Sequence, residues 1–187
     1  MPGCYVLAAK FLSSNELFLS ISNGLILLLD LHTQEVKKIF ANKVAIVDCL
    51  KIISPTQLMT AGIDSKVRIW GIRSEKLQAK FEIHKFATQQ LIVFNQTLYS
   101  YGGHDMKLVK FDIVTRETDC WINLKSHVTA LKLLKSRSKK DKLISDDSLE
   151  DSAPRRLDTT ESELLKETMI AAAFHDFDVV LYDLDLN

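Results

Sequence analysis

The chain has 187 residues and carries 24 Lys and Arg against 24 Asp and Glu, so its formal net charge is zero. That balance argues against a dedicated nucleic-acid or membrane-surface binder, which would be basic. The length suits one domain with a sizeable core. The longest apolar run, around 25–31, is closed by Asp30 and His32 and is too short to span a bilayer. The first residues show no charged n-region followed by an apolar stretch. The three cysteines, Cys4, Cys49 and Cys120, are far apart and form no C-x-x-C pair. They suggest neither a disulfide frame nor a zinc site, and point to a reducing compartment, cytoplasmic or nuclear.

Taken in order, the chain reads as fifteen short β-rich runs punctuated by Ser-Pro, Asn-Gly, Asn-Gln and His-Asp turns. The first unit, about 5–41, places strands at 5–11, 17–22, 25–31 and 36–40. The second, about 43–83, places them at 44–53, 58–63, 67–72 and 77–83. The third, about 84–125, places them at 88–94, 98–103, 108–113 and, more weakly, 120–124. The fourth, about 127–187, has strands at 128–134, 169–174 and 179–184 and no outer strand.

The units superpose on a spacing of 41 residues, with an insertion of 30 in the last. Leu29-Asp30, Trp70-Gly71, Phe111-Asp112 and Tyr182-Asp183 fall in one column. One residue earlier stand Leu28, Ile69, Lys110 and Leu181, and three earlier Ile26, Val67, Leu108 and Val179. Residues two apart share a strand face, so a buried face recurs four times, with Lys110 the poor fit. Nine before the aromatic position stand the small residues Ser20, Ala61, Gly102 and Ala173. Six before it stand Asn23, Asp64, Asp105 and Asp176, types that accept left-handed turns and bond their own backbone two residues on. Thr33, Ser74 and Thr115 mark a second turn four residues after it. An aromatic-Asp pair at a period near 40 is the signature of a β-propeller.

These motifs resemble the WD40-repeat family, over nearly the whole chain outside the insertion. That family ends each repeat in Trp-Asp, an apolar residue and a Thr-containing turn, as Leu29-Asp30-Leu31-His32-Thr33 and Phe111-Asp112-Ile113-Val114-Thr115 do here. The resemblance implies an all-β propeller segment of about four blades. It also implies a buried Asp–His–Ser/Thr–Trp tetrad, incomplete in every unit. The second unit offers Asp64, Thr60 and Trp70 with Lys43 near the His place, and the third Asp105 and His84 but Phe111 and Tyr101. Full rings have more blades, so the chain is expected either to be a fragment of a longer propeller or to be completed by a further subunit or a second copy. The apolar columns Leu28 and Leu31 at one end and Leu181 and Leu184 at the other carry no charge or proline to blunt them.

The insertion at 135–167 opens basic and turns acidic, with few apolar residues, and reads as a flexible solvated loop. A short helix at 161–166, a basic nuclear-localisation patch at 137–142 and phosphorylation at Ser145 or Ser148 stay open as further readings.

Chemistry is sparse. His104-Asp105 and His175-Asp176 look like metal dyads, but both fall in the repeat turn and lack further ligands. Gly102-Gly103 lacks the Lys and helix of a phosphate loop, and no Ser or Cys has a nucleophile-elbow context. Trp70 reads as core rather than a stacking platform, and Lys37, Lys38 and Lys43 as a solvated face. Arg155-Arg156 lacks the propeller context of a phosphoinositide motif. The expectation is a non-enzymatic chain with no cofactor, metal or small-molecule substrate. It would be a protein-interaction platform in an intracellular complex, using Lys66, Lys107 and Phe177 beside the hairpin turns. The alternative is a substrate receptor of a cullin-type ubiquitin ligase, because Trp70-Gly71-Ile72-Arg73 resembles a Trp-Asp-x-Arg docking box.

Overall fold

A computed structural model describes residues 3–41, 46–135, 168–176, 178–184 and 186. The readings of the insertion, of Lys43 and of Phe177 fall outside the described residues, apart from Lys135 at the insertion's edge. All regular structure among the described residues is strand. Accordingly no helix there is long and apolar enough to cross a membrane.

Fifteen strands form four antiparallel meanders. The first blade holds β1 (Val6–Phe11), β2 (Glu16–Ile21), β3 (Leu25–Asp30) and β4 (Val36–Ala41). The second holds β5 (Val47–Ser54), β6 (Gln57–Gly62), β7 (Lys66–Gly71) and β8 (Leu77–Glu82). The third holds β9 (Thr88–Phe94), β10 (Thr97–Gly102), β11 (Lys107–Asp112) and β12 (Thr118–Asn123). The fourth has only β13 (Val128–Lys135), β14 (Thr168–Phe174) and β15 (Val179–Tyr182). Lys135 pairs directly with Thr168, so the insertion springs from the closed end of a ladder.

The repeat is written in the backbone. Gly24, Ser65 and Met106, 41 apart, all take left-handed φ in the hairpin between second and third strands. Gln34, Glu75 and Arg116, again 41 apart, do so in the next turn. The left-handed residue is therefore the one after Asn23, Asp64 and Asp105, not those residues themselves. Their side chains instead accept the backbone N–H two residues on, from Leu25 (3.1 Å), Lys66 (3.4 Å) and Lys107 (3.4 Å). Each innermost strand carries a bulge near its start, at Leu7, Asp48, Gln89 and Thr129.

The third hairpin is one residue longer than the second. Thr60 pairs with Arg68, and its counterpart Ser100 with Val109. Counting back from the aromatic position therefore slips by one in that blade. Tyr101, not Gly102, stands opposite the Ala61 place, and Ser100, not Tyr101, takes the Ser/Thr place of the tetrad.

Each sheet has two faces, and consecutive blades bury one against the other. Phe18, Ile26, Leu28 and Phe40 on the forward face of the first blade cluster with Leu58 and Trp70 on the back face of the second. Met59, Val67, Ile69 and Phe81 meet Leu98 and Phe111 in the same way, and Tyr99 and Leu108 meet Ile170 and Ala172. Innermost strands follow one another as β1, β5, β9 and β13, with no comparable contact between β13 and β1 among the described residues, so the ring is open. The end faces differ from the expectation in their residues. Leu28 is buried inside the first contact, while Leu31 is exposed at 40%. The uncovered back face of the first blade is instead the alternate set of Leu17, Leu19, Leu27 and Leu29. At the far end Leu181 is exposed, and Leu184 packs on the third blade's core.

Candidate interaction rim and its buried polar supports

The buried tetrad is divided between two blades. In the second, the Trp70 indole N–H donates to Thr60 Oγ1 at 2.9 Å in a buried pair. Trp70 also meets the Phe40 ring edge-on, with centroids 6.2 Å apart. Asp64 turns to Arg68, which donates two hydrogen bonds at 3.1 and 2.5 Å. Burial alone would raise the Asp64 carboxyl. The Arg68 hydrogen bonds and charge outweigh it and hold the group below the ordinary range.

In the third blade the other part of the tetrad forms. His84 Nδ1 lies 3.0 Å from Asp105 Oδ2, and Nε2 lies 2.9 Å from Ser100 Oγ. Phe111 replaces the Trp and packs on Phe81, ring centroids 5.1 Å apart. Gly102 makes room, because a Cβ there would collide with the Asp105 carboxylate and the His84 ring. Burial depresses the His84 pKa, and the Asp105 charge only partly offsets it, so the ring is neutral. A neutral ring donates Nδ1–H to Asp105 and accepts the Ser100 hydroxyl at Nε2. Beside it, the Tyr101 hydroxyl lies 3.2 Å from His127 Nδ1 and accepts the Val128 N–H at 3.2 Å.

The repeat's terminal Asp builds the outer turn. Asp30 Oδ1 accepts the N–H groups of His32 (2.8 Å) and Thr33 (3.2 Å), and Asp112 Oδ1 those of Val114 (2.7 Å) and Thr115 (2.8 Å). The Lys37 hydrogen bond, followed by those turn N–H groups, brings the Asp30 pKa down to about 2. In the second blade Gly71 takes this place, and the Ser74 and Gln78 side chains fill the space. Asp176 lies in the exposed turn after β14, and Tyr182 ends β15, half-buried against the third blade's core, with exposed Asp183 next to it.

The basic residues are not a free solvated face. Lys37 bridges Glu16 and Asp30. Lys38 reaches into the second blade, where it donates to the Ile72 carbonyl (2.9 Å) and the Arg73 carbonyl (3.2 Å) and pairs with Glu75. Lys10, Lys51 and Lys132, from three innermost strands, line a cleft of about 580 Å³ at the ring's centre.

Of the rim residues, Lys66 and Lys107 open β7 and β11 on the same side of the ring. Lys107 sits 3.7 Å over the Trp121 ring. Arg73 follows the opposite end of β7, so it belongs to the other rim. The sequence reading missed a groove of mixed polarity at the tip of the hairpin between β6 and β7, where Asp64 and Ser65 line one side. Ile63 and Phe86, 52% and 54% exposed, flank a groove of about 430 Å³ that also takes in Lys85 and His104. Phe86 meets the His104 ring edge-on at 5.8 Å. The available signal was an aromatic residue inside the polar linker His84-Lys85-Phe86-Ala87-Thr88. Among the described residues no group of three His, Cys, Asp or Glu side chains is placed to hold a metal ion.

No protein-family model matches the sequence, and no curated protein matches it. Solved structures do. The WD40 β-propeller domain of Doa1 matches with a TM-score of 0.69 at 14% identity, over 94% of this chain and 50% of that one. The computationally designed Ika8 protein matches with a TM-score of 0.66 at 17% identity, over 96% of this chain and 46% of that one. The chain thus spans about half the length of both. With four meanders packed face to face around a common centre, the fold is that of a partial WD40 β-propeller.

Proposed function

We propose that this chain is a non-catalytic platform for protein partners within an intracellular multiprotein complex, its ring completed by a further subunit or copy. The observation that carries the reading is the groove between Ile63 and Phe86, two apolar side chains held out on a rim of otherwise polar turns. Exposed apolar anchors with a charged border are what a protein interface needs. Here the groove's polar lining is Asp64, Ser65, Lys85 and His104, and the neighbouring hairpins are pinned by Asp64–Arg68 and Asp105–His84–Ser100. Rigid hairpins lower the entropic cost of docking. With Asp64 paired to Arg68, Lys85 is the lining charge left to a partner, which favours one that presents an apolar residue beside an acidic one. Affinity capture with the wild type and with Phe86→Asp or Ile63→Asp tests this. Both variants should fold and lose the same captured proteins. Retention of every partner by both would sink the reading.

A second reading, a substrate receptor of a cullin-type ubiquitin ligase, is favoured by Arg73, which stands exposed just beyond buried Trp70. Ligase adaptors would then co-purify with the wild type and be lost with Arg73→Ala. Their absence from the wild-type capture refutes this reading alone.

A further inference from the structure

Among the described residues the outer strands β4, β8 and β12 each end a sheet, and such edges are usually blunted by charge. β4 carries Lys37 and Lys38, and β8 carries Lys80 and Glu82. β12 has no Lys, Arg or Pro, and its one charge, Asp119, is paired with Lys110 at 2.8 Å. Trp121, 49% exposed, stands on it where β8 has Lys80. The third blade is packed on both sides, against the second and the fourth. Further blades stack on end faces, so they do not reach this outer edge.

The backbone at this edge is set for pairing. The Leu124 N–H donates inward to the Met106 carbonyl at 2.8 Å. By antiparallel alternation Ile122 and Cys120 also bond inward, and the N–H and C=O groups of Trp121 and Asn123 point away from the sheet. Lys107, 3.7 Å over the Trp121 ring, fixes the indole and brings a cation to the upper end of the strand, opposite Asn123. The lower end borders an acidic recess of about 350 Å³ lined by Asp112, Glu117 and Asp119. The edge is therefore basic at one end, apolar in the middle and acidic at the other.

We propose that β12 takes up an extended segment of a protein partner as an added antiparallel strand. Main-chain bonds to Trp121 and Asn123 supply the pairing, and alternate side chains supply the choice of partner. The segment places an acidic residue opposite Asn123, within reach of Lys107. Two residues on, a β-branched or aromatic residue lies alongside Trp121. Two further on, a basic residue meets the acidic recess. This inference rests on the reading of the chain as a platform for proteins, but not on its groove, with which Trp121 and Lys107 share no lining position.

The probe is the capped peptide Thr-Glu-Thr-Val-Thr-Lys-Thr, titrated into the full chain labelled with nitrogen-15. The chain has two tryptophans, so Trp121 and buried Trp70 report separately through their indole N–H signals. The peptide should shift the Trp121 indole, leave that of Trp70 in place and slow hydrogen exchange at the Trp121 and Asn123 amides. Methylating the Val nitrogen of the peptide should abolish these effects, because it removes one edge bond and keeps the side chains. Lys107→Ala should weaken binding about two- to fivefold. Asn123→Pro should fold, because the lost N–H points outward, and should no longer bind. Equal binding by the N-methyl peptide, or by one with Glu and Lys exchanged, overturns the proposal, as does failure of the parent peptide to bind. Amides of Trp121 and Asn123 already protected without peptide overturn it too, since the chain itself would then cover the edge. Phe86→Asp should bind the peptide as the wild type does. Loss of the peptide result while capture through Phe86 persists overturns this inference alone.

Discussion

Replacing Trp70 tests the core of the second blade and the divided tetrad together. Trp70 is 7% exposed, packs edge-on to Phe40 and donates to Thr60. Truncation to Ala removes the aromatic body and leaves a cavity, which costs about 3–5 kcal/mol. About 1 kcal/mol of that belongs to the hydrogen bond, and a comparable amount to the edge-on contact. Trp70→Phe keeps a ring that this column already accepts as Phe111, and its main loss is the N–H partner of buried Thr60. Its expected cost is about 1–3 kcal/mol. Thr60→Val should cost a similar amount, because it leaves the indole N–H unpaired in the core. The double variant Trp70→Phe, Thr60→Val should cost less than the sum of the two, since neither partner is then orphaned. Urea unfolding followed by far-ultraviolet circular dichroism reads all four variants against the wild type. All are compared at one protein concentration, so that any association contributes equally. A loss below about 1 kcal/mol for Trp70→Ala would falsify the argument, as would strict additivity of the pair.

The depressed pKa of His84 makes its contribution to stability complete above the unfolded value near 6.5. That contribution is lost as pH falls from there through the folded value, with a slope of at most about 1.4 kcal/mol per pH unit. His84→Gln should flatten the fall in stability as pH drops below about 6.5, and an unchanged slope would mean that the folded His84 pKa is not depressed. The depressed carboxyls of Asp30, Asp64 and Asp112 act in a lower window, where stability falls as pH drops below about 4. Gly71→Asp, which restores the repeat's usual residue, should be neutral to stabilising by up to about 1 kcal/mol, because the exposed Ser74 and Gln78 side chains can swing aside and the carboxylate can accept turn N–H groups as Asp30 and Asp112 do; a clear loss in a thermal melt would show that they cannot yield. Deleting 136–167 and joining Lys135 to Thr168 through Asn-Gly should preserve cooperative unfolding, since those two residues already pair; a chain that no longer folds would refute the reading of the insertion as a dispensable linker.

The repeat was legible because it rests on local chemistry. The 41-residue spacing, the Asp and Asn turns and the period-two apolar columns each set backbone geometry within a few residues. What a column could not show was a change of length between columns. One extra residue in the third hairpin moved Ser100 into the place that counting gave to Tyr101, and only strand pairing reveals it. Nor could spacing assign the two faces of one strand when both are apolar. Leu27, Leu28 and Leu29 look alike in sequence, yet Leu28 is buried and its neighbours face outward. The groove at Ile63 and Phe86 was invisible for a related reason, because it joins a hairpin tip to a linker more than twenty residues away. Lys38 was misplaced by the same distance effect, since its carbonyl partners lie in the next blade.

The buried polar groups of the four blades change in partnered sets. In the second blade Thr60 has Trp70. In the third, Phe111 cannot donate, and Ser100 has His84 instead. In the fourth, Ala172 stands at the Ser100 place and Leu124 at the His84 place, so both partners go together. In the first, Leu19 and Leu29 replace the Thr60–Trp70 pair as a unit. Removing one member of a buried pair costs the full desolvation of the other, whereas replacing both with apolar groups is nearly neutral. Among the described residues Thr88 Oγ1 is the one buried side-chain polar atom without a partner. The same rule explains where the networks sit. They lie on back faces that another blade of this chain covers, where a fixed neighbour holds the donors and acceptors in register. The first blade's back face has no covering blade within the described residues, and it carries leucines only at those places. Apolar packing tolerates small errors of registration that a buried hydrogen-bonded network does not.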